Sequence, residues 1–372
     1  MEPKATPKES PSAKRMDRDA LENFLKALPK AEIHLHIEGT LEPEMVFELA
    51  KKNVVALGYK TPEALKEAYN FSNLEDFLKV YYQGLAVLKT KQDFYELAMA
   101  YFQKAGEENI VRAEIFFDPQ AHTSRGVPFA SVIEGLLEAA KDAESKLGVS
   151  VALILCFLRH LSEQDAFEAL KQALPYKKAI LGVGLDSSEA GNPPSKFRRV
   201  FAKAREEGFL AVAHAGEEGP AGYVREALSD LKVLRVDHGV RSEEDPGLME
   251  ELKARRTPLS VCPLSNVRLR VFPSLAEHNL KRLLDFGILV TVNSDDPAYF
   301  GGYLLENYLQ SAEALGMSAR DVSTLAKNSI LAAFLPDSEK QRLLKEQDAV
   351  VSDFLRGIPT GPPPLRDKEG SA

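Results

Sequence analysis

Apolar and polar residues alternate from Ala31 to Thr40, reading Ala-Glu-Ile-His-Leu-His-Ile-Glu-Gly-Thr. A period of two is that of a half-buried strand, so His34, His36 and Glu38 fall on one face. Gly39 breaks the run and leaves the histidine pair near the strand's C-terminal end. The pattern then turns helical. Leu41, Met45, Val46 and Leu49 recur at helical spacing, as do Leu74, Phe77, Leu78 and Tyr81, and Asp93-Phe94-Tyr95-Glu96 opens a further helix. This section, up to about Asn109, is too long for one crossover helix. It reads as an insertion over the first strand's end, placed to cover a substrate.

From Ile110 onward short apolar runs alternate with amphipathic segments. Strands are expected at Ile110–Phe117, Val149–Leu158, Ala179–Leu185, Leu210–His214, Leu234–His238, Pro258–Cys262 and Ile288–Asn293. The run Val149–Leu158 is nearly continuous, as in a parallel strand buried on both faces. Helices are expected between them at Phe129–Lys146, Glu163–Leu174, Lys196–Glu207, Tyr223–Leu228, Pro246–Lys253 and Leu275–Asp285, with closing helices to about Lys345. Eight strands alternating with helices point to an α/β fold, a (β/α)8 TIM barrel. A doubly wound open sheet is the alternative, but no Gly-x-Gly-x-x-Gly follows the first strand.

Composition narrows the picture. A chain of 372 residues would fit two average domains, yet barrels reach this size as one. The stretch 1–20 is rich in Lys, Pro, Ser and Glu and reads as a disordered tail; 21–346 reads as the barrel domain and 347–372 as an extended C-terminal tail. A net charge of −8 gives no footprint for nucleic acid or anionic lipid, and no apolar stretch reaches membrane-span length. Cys156 and Cys262 lie in separate apolar runs, which fits reduced thiols in a cytoplasmic protein. Oligomeric state is not legible.

Polar residues cluster at the strand ends. After His34 and His36 come Asp186-Ser187-Ser188-Glu189, His214-Ala215-Gly216-Glu217, Asp237-His238-Gly239, Pro263-Leu264-Ser265-Asn266 and Asn293-Ser294-Asp295-Asp296-Pro297. Each alone has a plain explanation, such as a helix cap for Asp295-Asp296-Pro297. Together they would bury charges that need partners, and a metal supplies one. His278 reads as a residue of a surface helix, His122 as a loop residue, and His160 is given no role.

Through His34-Leu-His36, His214-Ala-Gly-Glu217, Asp237-His238-Gly239 and Asp295-Asp296-Pro297, the chain resembles the adenosine/adenine deaminase family of the amidohydrolase superfamily, over about Leu21 to Leu344. The resemblance implies one zinc ion per chain, held by His34, His36, His214 and Asp295. It places Glu217, His238 and Asp296 at the family's catalytic positions. Zinc activates water for attack on an electron-poor purine carbon. Glu217 would hand a proton to ring N1, His238 would orient the water and take up its proton, and Asp296 would bond to N7.

Two rivals are weighed. Binuclear hydrolases on this barrel carry a modified lysine at the end of strand four, whereas this strand ends Leu185-Asp186-Ser187-Ser188. A catalytically dead, metal-stabilised purine-binding protein would not need Glu217 and Asp296. Adenosine enzymes have Asp where this chain has Glu38, and Asp-Leu-Ala-Gly-Asp-Glu where it has Asp186-Ser187-Ser188-Glu189-Ala190-Gly191. With Phe116-Phe117-Asp118-Pro119-Gln120 and Phe157-Leu158-Arg159-His160-Leu161-Ser162, these features are similar to the adenine deaminase branch. Expected outcomes are adenine converted to hypoxanthine and ammonia in purine salvage, with Glu38 and Glu189 as substrate-binding residues. An adenosine or other 6-aminopurine nucleoside deaminase is the alternative.

Overall fold

The computed structural model describes residues 17–357. Eight strands run in chain order: β1 Lys30–His36, β2 Ile110–Phe117, β3 Ser150–Leu158, β4 Ile180–Asp186, β5 Leu210–Ala215, β6 Arg235–His238, β7 Leu259–Val261 and β8 Val290–Val292. Each pairs in parallel with the next. The seam between β8 and β1 is closed just beyond β8. The His36 N–H donates to the Asp295 carbonyl at 2.9 Å and the Asp295 N–H to the His34 carbonyl at 3.2 Å. The Ile33 N–H donates to Asn293 Oδ1 at 3.0 Å. The closed ring, with helices between strands, is the expected TIM barrel and excludes the open sheet. Its seam therefore lies at the histidine pair.

The first strand is buried along its whole length, where alternation predicted a half-buried one. Its polar positions are all buried, and each finds its partners on other elements of the fold. Tyr101 Oη and Ser294 Oγ both donate to the Glu32 carboxylate at 2.6 Å. Arg235 on β6 spans the interior to Glu114 on β2 at 2.7 Å and holds Asp237 at 3.2 Å. The interior is thus a paired ionic layer beneath the strand ends, as buried charges require.

Between β1 and β2 lie helices Pro43–Lys52, Pro62–Glu67, Leu74–Gly84 and Lys91–Glu107. The third is capped by Asn73, which accepts from the Asp76 N–H. Its first N–H, at Leu74, donates to Glu218 Oε1 at 2.9 Å, and Tyr82 Oη donates to Ser187 Oγ at 3.0 Å. The inserted helix is therefore tied down over the ends of β4 and β5.

Both expected tail boundaries are corrected. Helix Arg18–Ala27 begins before residue 20 and buries Leu21, Phe24 and Leu25. Helix Asp337–Leu355 runs past 346. Its sequence is mostly polar, yet Gln347 is buried and donates to the carbonyls of Pro29 and Ala326 at 2.6 and 2.9 Å. Phe354 stacks on Phe24 at 4.1 Å. The remainder of both expected tails, 1–16 and 358–372, lies outside the described residues. No helix among the described residues is long and apolar enough to cross a membrane. Cys156 and Cys262 are free and buried.

Candidate active site

The strand ends bring His34, His36, His214 and Asp295 together, with one ligand-type atom from each within 4.8 Å of the others. Asp295 Oδ1 lies 3.2 Å from His34 Nε2 and 3.5 Å from His36 Nε2. His36 Nε2 and His214 Nε2 are 3.1 Å apart. Tetrahedral coordination with metal–nitrogen bonds of roughly 2.0–2.1 Å spaces ligand atoms at about 3.3 Å, so these separations fit one small cation.

The opposite nitrogens support the same reading. His34 Nδ1 faces the Ser260 carbonyl at 3.1 Å and Ser260 Oγ at 2.9 Å, and Ser260 Oγ in turn donates to Asp237 at 2.7 Å. His36 Nδ1 faces Asp186 Oδ2 at 3.5 Å, and His214 Nδ1 faces Asp237 Oδ2 at 3.8 Å. The Ser260 acceptors keep the His34 proton on Nδ1. The carboxylates of Asp186 and Asp237, beyond hydrogen-bond distance, favour the same form of His36 and His214 by charge, which aims the Nε2 lone pairs at one another. Two facing lone pairs at 3.1 Å repel unless a cation sits between them. Burial, and then the neighbouring rings of His34 and His36, hold His214 well below the usual imidazole range. The donor set fits a divalent cation.

Beside this cluster stand the three expected catalytic groups. His238 Nε2 lies 3.6 Å from Glu217 Oε2 and 3.7 Å from Asp295 Oδ2. Burial, and then the charges of Asp295 and Glu189, push Glu217 well above the usual carboxyl range. Burial and the adjacent Asp295 do the same to Asp296. Asp296 lies against the backbone of Gly39, where a Cβ would come within 2.0 Å of its Oδ1. Only glycine leaves that carboxyl its place, which gives the end of the β1 motif a physical reason. His238 and Asp295 both adopt positive φ, 62° and 65°. Such backbone is uncommon for non-glycine residues and is found where function demands it.

A cleft of about 380 Å³, its open mouth included, lies over these groups. Leu74, Phe77, Leu78, Tyr81 and Tyr82 of the insertion form one wall, as the insertion's position led us to expect. Asp118, Asp186 and Ser187 form another side. Asp118 and Asp186 bond carboxyl to carboxyl, while the Oδ1 atom of each is buried with no N–H or O–H donor among the described residues. Burial, and then the charges of Asp186 and Glu38, push Asp118 well above the usual range. His36, Asp118 and Asp186 would admit a second cation. The Asp186 oxygen, however, approaches Nδ1 of His36, so one ring would have to serve two ions.

Three expectations change. Glu38 was expected on the strand face with the ligands, but β1 ends at His36 and Glu38 opens a 3-10 turn. Its Oε1 accepts from the Asp118 N–H at 3.0 Å and meets His122 Nε2 at 2.9 Å. It lies in the wall and does not line the cleft. Its partner is His122, which is buried on the short helix Pro119–Thr123 instead of standing in a loop. The carboxylate of Glu189, a residue whose neighbouring backbone was expected to contact the ring, is taken up by four main-chain donors. The N–H groups of Gly216, Glu217, Glu218 and Gly219 reach it at 2.7, 3.0, 2.8 and 2.7 Å. It clamps the turn that carries Glu217. Thirdly, His278 is buried, with Nε2 3.1 Å from Asn266 Oδ1. His160 stays at the rim, bonded to Ser187 Oγ at 2.8 Å. Sequence reasoning gave no role to Asp118, Asp237, Ser260 or Asn266. For Asp118, Asp237 and Asn266 a position at or just past a strand end was the available signal, whereas Ser260 lies in the middle of β7.

The adenosine deaminase family model matches residues 29–350. The adenine deaminase of Acinetobacter baylyi is 59% identical over 323 residues, covering 87% of this chain and 97% of that protein. The adenine deaminase of Hahella chejuensis is 57% identical over 333 residues, covering 90% of this chain and 100% of that one. The crystal structure of adenine deaminase from Arthrobacter aurescens superposes with a TM-score of 0.86 at 49% identity, covering 87% and 99% of the two chains. The resemblance drawn from the strand-end motifs is borne out. With most of its length matched by the family model and relatives at more than half identity, the chain belongs to the adenosine deaminase family.

Proposed function

We propose that the protein is a zinc-dependent adenine deaminase, converting adenine and water to hypoxanthine and ammonia in the cytoplasm. The observation that carries this is the convergence of a four-ligand cation site with Glu217, His238 and Asp296 at one small cleft. The names of relatives at 57–59% identity support adenine as substrate. His34, His36, His214 and Asp295 would hold the zinc, which when bound supplies water made nucleophilic near neutral pH. Glu217 gives its proton to N1, leaving C6 more electrophilic. His238 Nε2 faces the oxygen that joins C6, and the amino group leaves as ammonia. Asp296 bonds to N7, and the aromatic wall from the insertion excludes water.

The choice of base over nucleoside is supported by Asp118. A ring N–H of free adenine would supply a donor to Asp118 Oδ1, which its carboxyl pairing with Asp186 leaves without one beside the cleft. Adenosine carries a sugar there and leaves that oxygen unpaired, a cost of about 1–3 kcal/mol. Asp118 thus takes the place that the sequence assigned to Glu38. Rates of ammonia release from adenine and adenosine test the assignment. We expect kcat/KM for adenine to exceed that for adenosine by at least about tenfold, the equivalent of 1.4 kcal/mol. Equal values or a preference for adenosine would falsify it.

A further inference from the structure

Behind His238 a chain of hydrogen bonds leads away from the cleft to the main chain. The Leu280 N–H donates to His278 Nδ1 at 3.0 Å. A main-chain amide can only donate, so Nδ1 must carry a lone pair. Burial, and then the Arg282 guanidinium, push His278 down to about 3, and its ring is neutral. Its single proton is therefore on Nε2, which faces Asn266 Oδ1 at 3.1 Å. That sets the Asn266 amide, whose Nδ2 then points at His238 Nδ1 at 3.3 Å. His238 accepts at Nδ1, so its neutral ring carries the proton on Nε2, the nitrogen that faces Glu217 and Asp295.

We infer that Asn266 and His278 are positioning residues that hold His238 as the Nε2–H tautomer, so that His238 donates a hydrogen bond to the oxygen joining C6 and is not the acceptor of the water's proton. The inference rests on the deaminase reading for its chemical consequence, and on hydrogen-bond direction alone for the tautomer. The opposite tautomer sets His238 Nδ1–H against the Asn266 amino group. Turning Asn266 over moves the conflict to His278 Nε2–H, and shifting that proton sets His278 Nδ1–H against the Leu280 amide, which cannot adapt. The proton balance closes on Glu217. Having given its proton to N1, it is a carboxylate 3.6 Å from His238 Nε2. It takes the proton released as the water oxygen bonds to C6 and regains the acid form. As the C6–N bond breaks, the hydroxyl proton passes to the leaving amino group, giving ammonia and the C6 carbonyl.

The test is a long-range 1H–15N correlation spectrum of the full-length, zinc-loaded enzyme labelled at histidine, with His238 assigned by substitution. The expected spectrum shows His238 protonated at Nε2 and bare at Nδ1. A proton on Nδ1, in a neutral or a charged ring, overturns the inference. Asn266→Asp turns the donor into an acceptor at nearly the same shape. It should move the His238 proton to Nδ1 and lower kcat by on the order of tenfold or more, with KM and zinc content held. Wild-type kcat with the tautomer reversed would remove His238's role as donor. His278→Gln, which keeps an N–H for Asn266 Oδ1, should retain far more of kcat than His278→Leu. Equal losses in the two overturn the relay. The spectrum needs no substrate, so a failed deaminase reading shows itself separately, as absent ammonia release with the tautomer as expected.

Discussion

Glu189→Gln separates a clamp from a substrate contact. In the native protein Oε2 accepts from the N–H groups of Glu217, Glu218 and Gly219, and Oε1 from that of Gly216. The space is tight: a Cβ at Gly219 would lie 2.7 Å from Glu189 Cδ. A glutamine keeps one oxygen. Its best placement preserves the three bonds at the Oε2 position and turns an amino group towards the Gly216 N–H. One buried donor then loses its acceptor, at about 1–3 kcal/mol, and the other three bonds lose the help of charge. Carried by the turn that holds Glu217, that cost lowers kcat by about 5- to 150-fold, at 1.4 kcal/mol per tenfold. Zinc content should hold, because His214 precedes the turn and keeps its own Asp237 partner. The assay is steady-state ammonia release from adenine, with metal analysis on the same samples. A raised KM at native kcat would return Glu189 to the substrate, and unchanged values of both would refute the clamp.

Glu217→Gln should retain fold and zinc while turnover drops on the order of 10²–10⁴, and a loss under tenfold would reassign the donor. Because Glu217 is pushed above the usual range, its acid form persists below that raised value and is lost above it. The wild-type kcat/KM should therefore fall as pH rises, and a profile flat on the alkaline side wherever the enzyme stays folded would contradict this. Gly39→Ala drives Asp296 from its place and should cost about 1–3 kcal/mol in kcat/KM, with circular dichroism unchanged. Asp118→Ala should narrow the adenine-to-adenosine ratio by about tenfold, whereas Glu38→Asp should lower the melting temperature and leave the ratio alone. The reverse result would place discrimination on Glu38.

The barrel was legible because short, largely apolar runs alternate with amphipathic segments after the first strand, and the site because ionisable residues end those runs. What escaped depends on partners distant in the chain. Glu38 stands at the right spacing for the strand face, but a turn at Ile37 sends it to His122, 84 residues on. Glu189 has a side chain suited to a ligand, and only the fold shows that four amides of another loop consume it. His278 sits in a polar stretch whose burial comes from Asn266 and Phe272, the latter ring 4.3 Å away. The C-terminal helix failed as a pattern for a different reason. Its anchor at 347 is a glutamine, which hydropathy counts as exposed. Short strands β7 and β8 were expected two or three residues longer, since apolar residues continue past their last ladder bonds.

The most direct test of the account is to strip the enzyme with a chelator and titrate zinc back while following ammonia release from adenine. The stripped protein should be inactive, and activity should rise in proportion to added zinc and level off at about one equivalent per chain, the number His34, His36, His214 and Asp295 accommodate. Full turnover in the stripped protein would contradict the metal site. A plateau only at two equivalents would show that the His36, Asp118 and Asp186 cluster holds a working second ion.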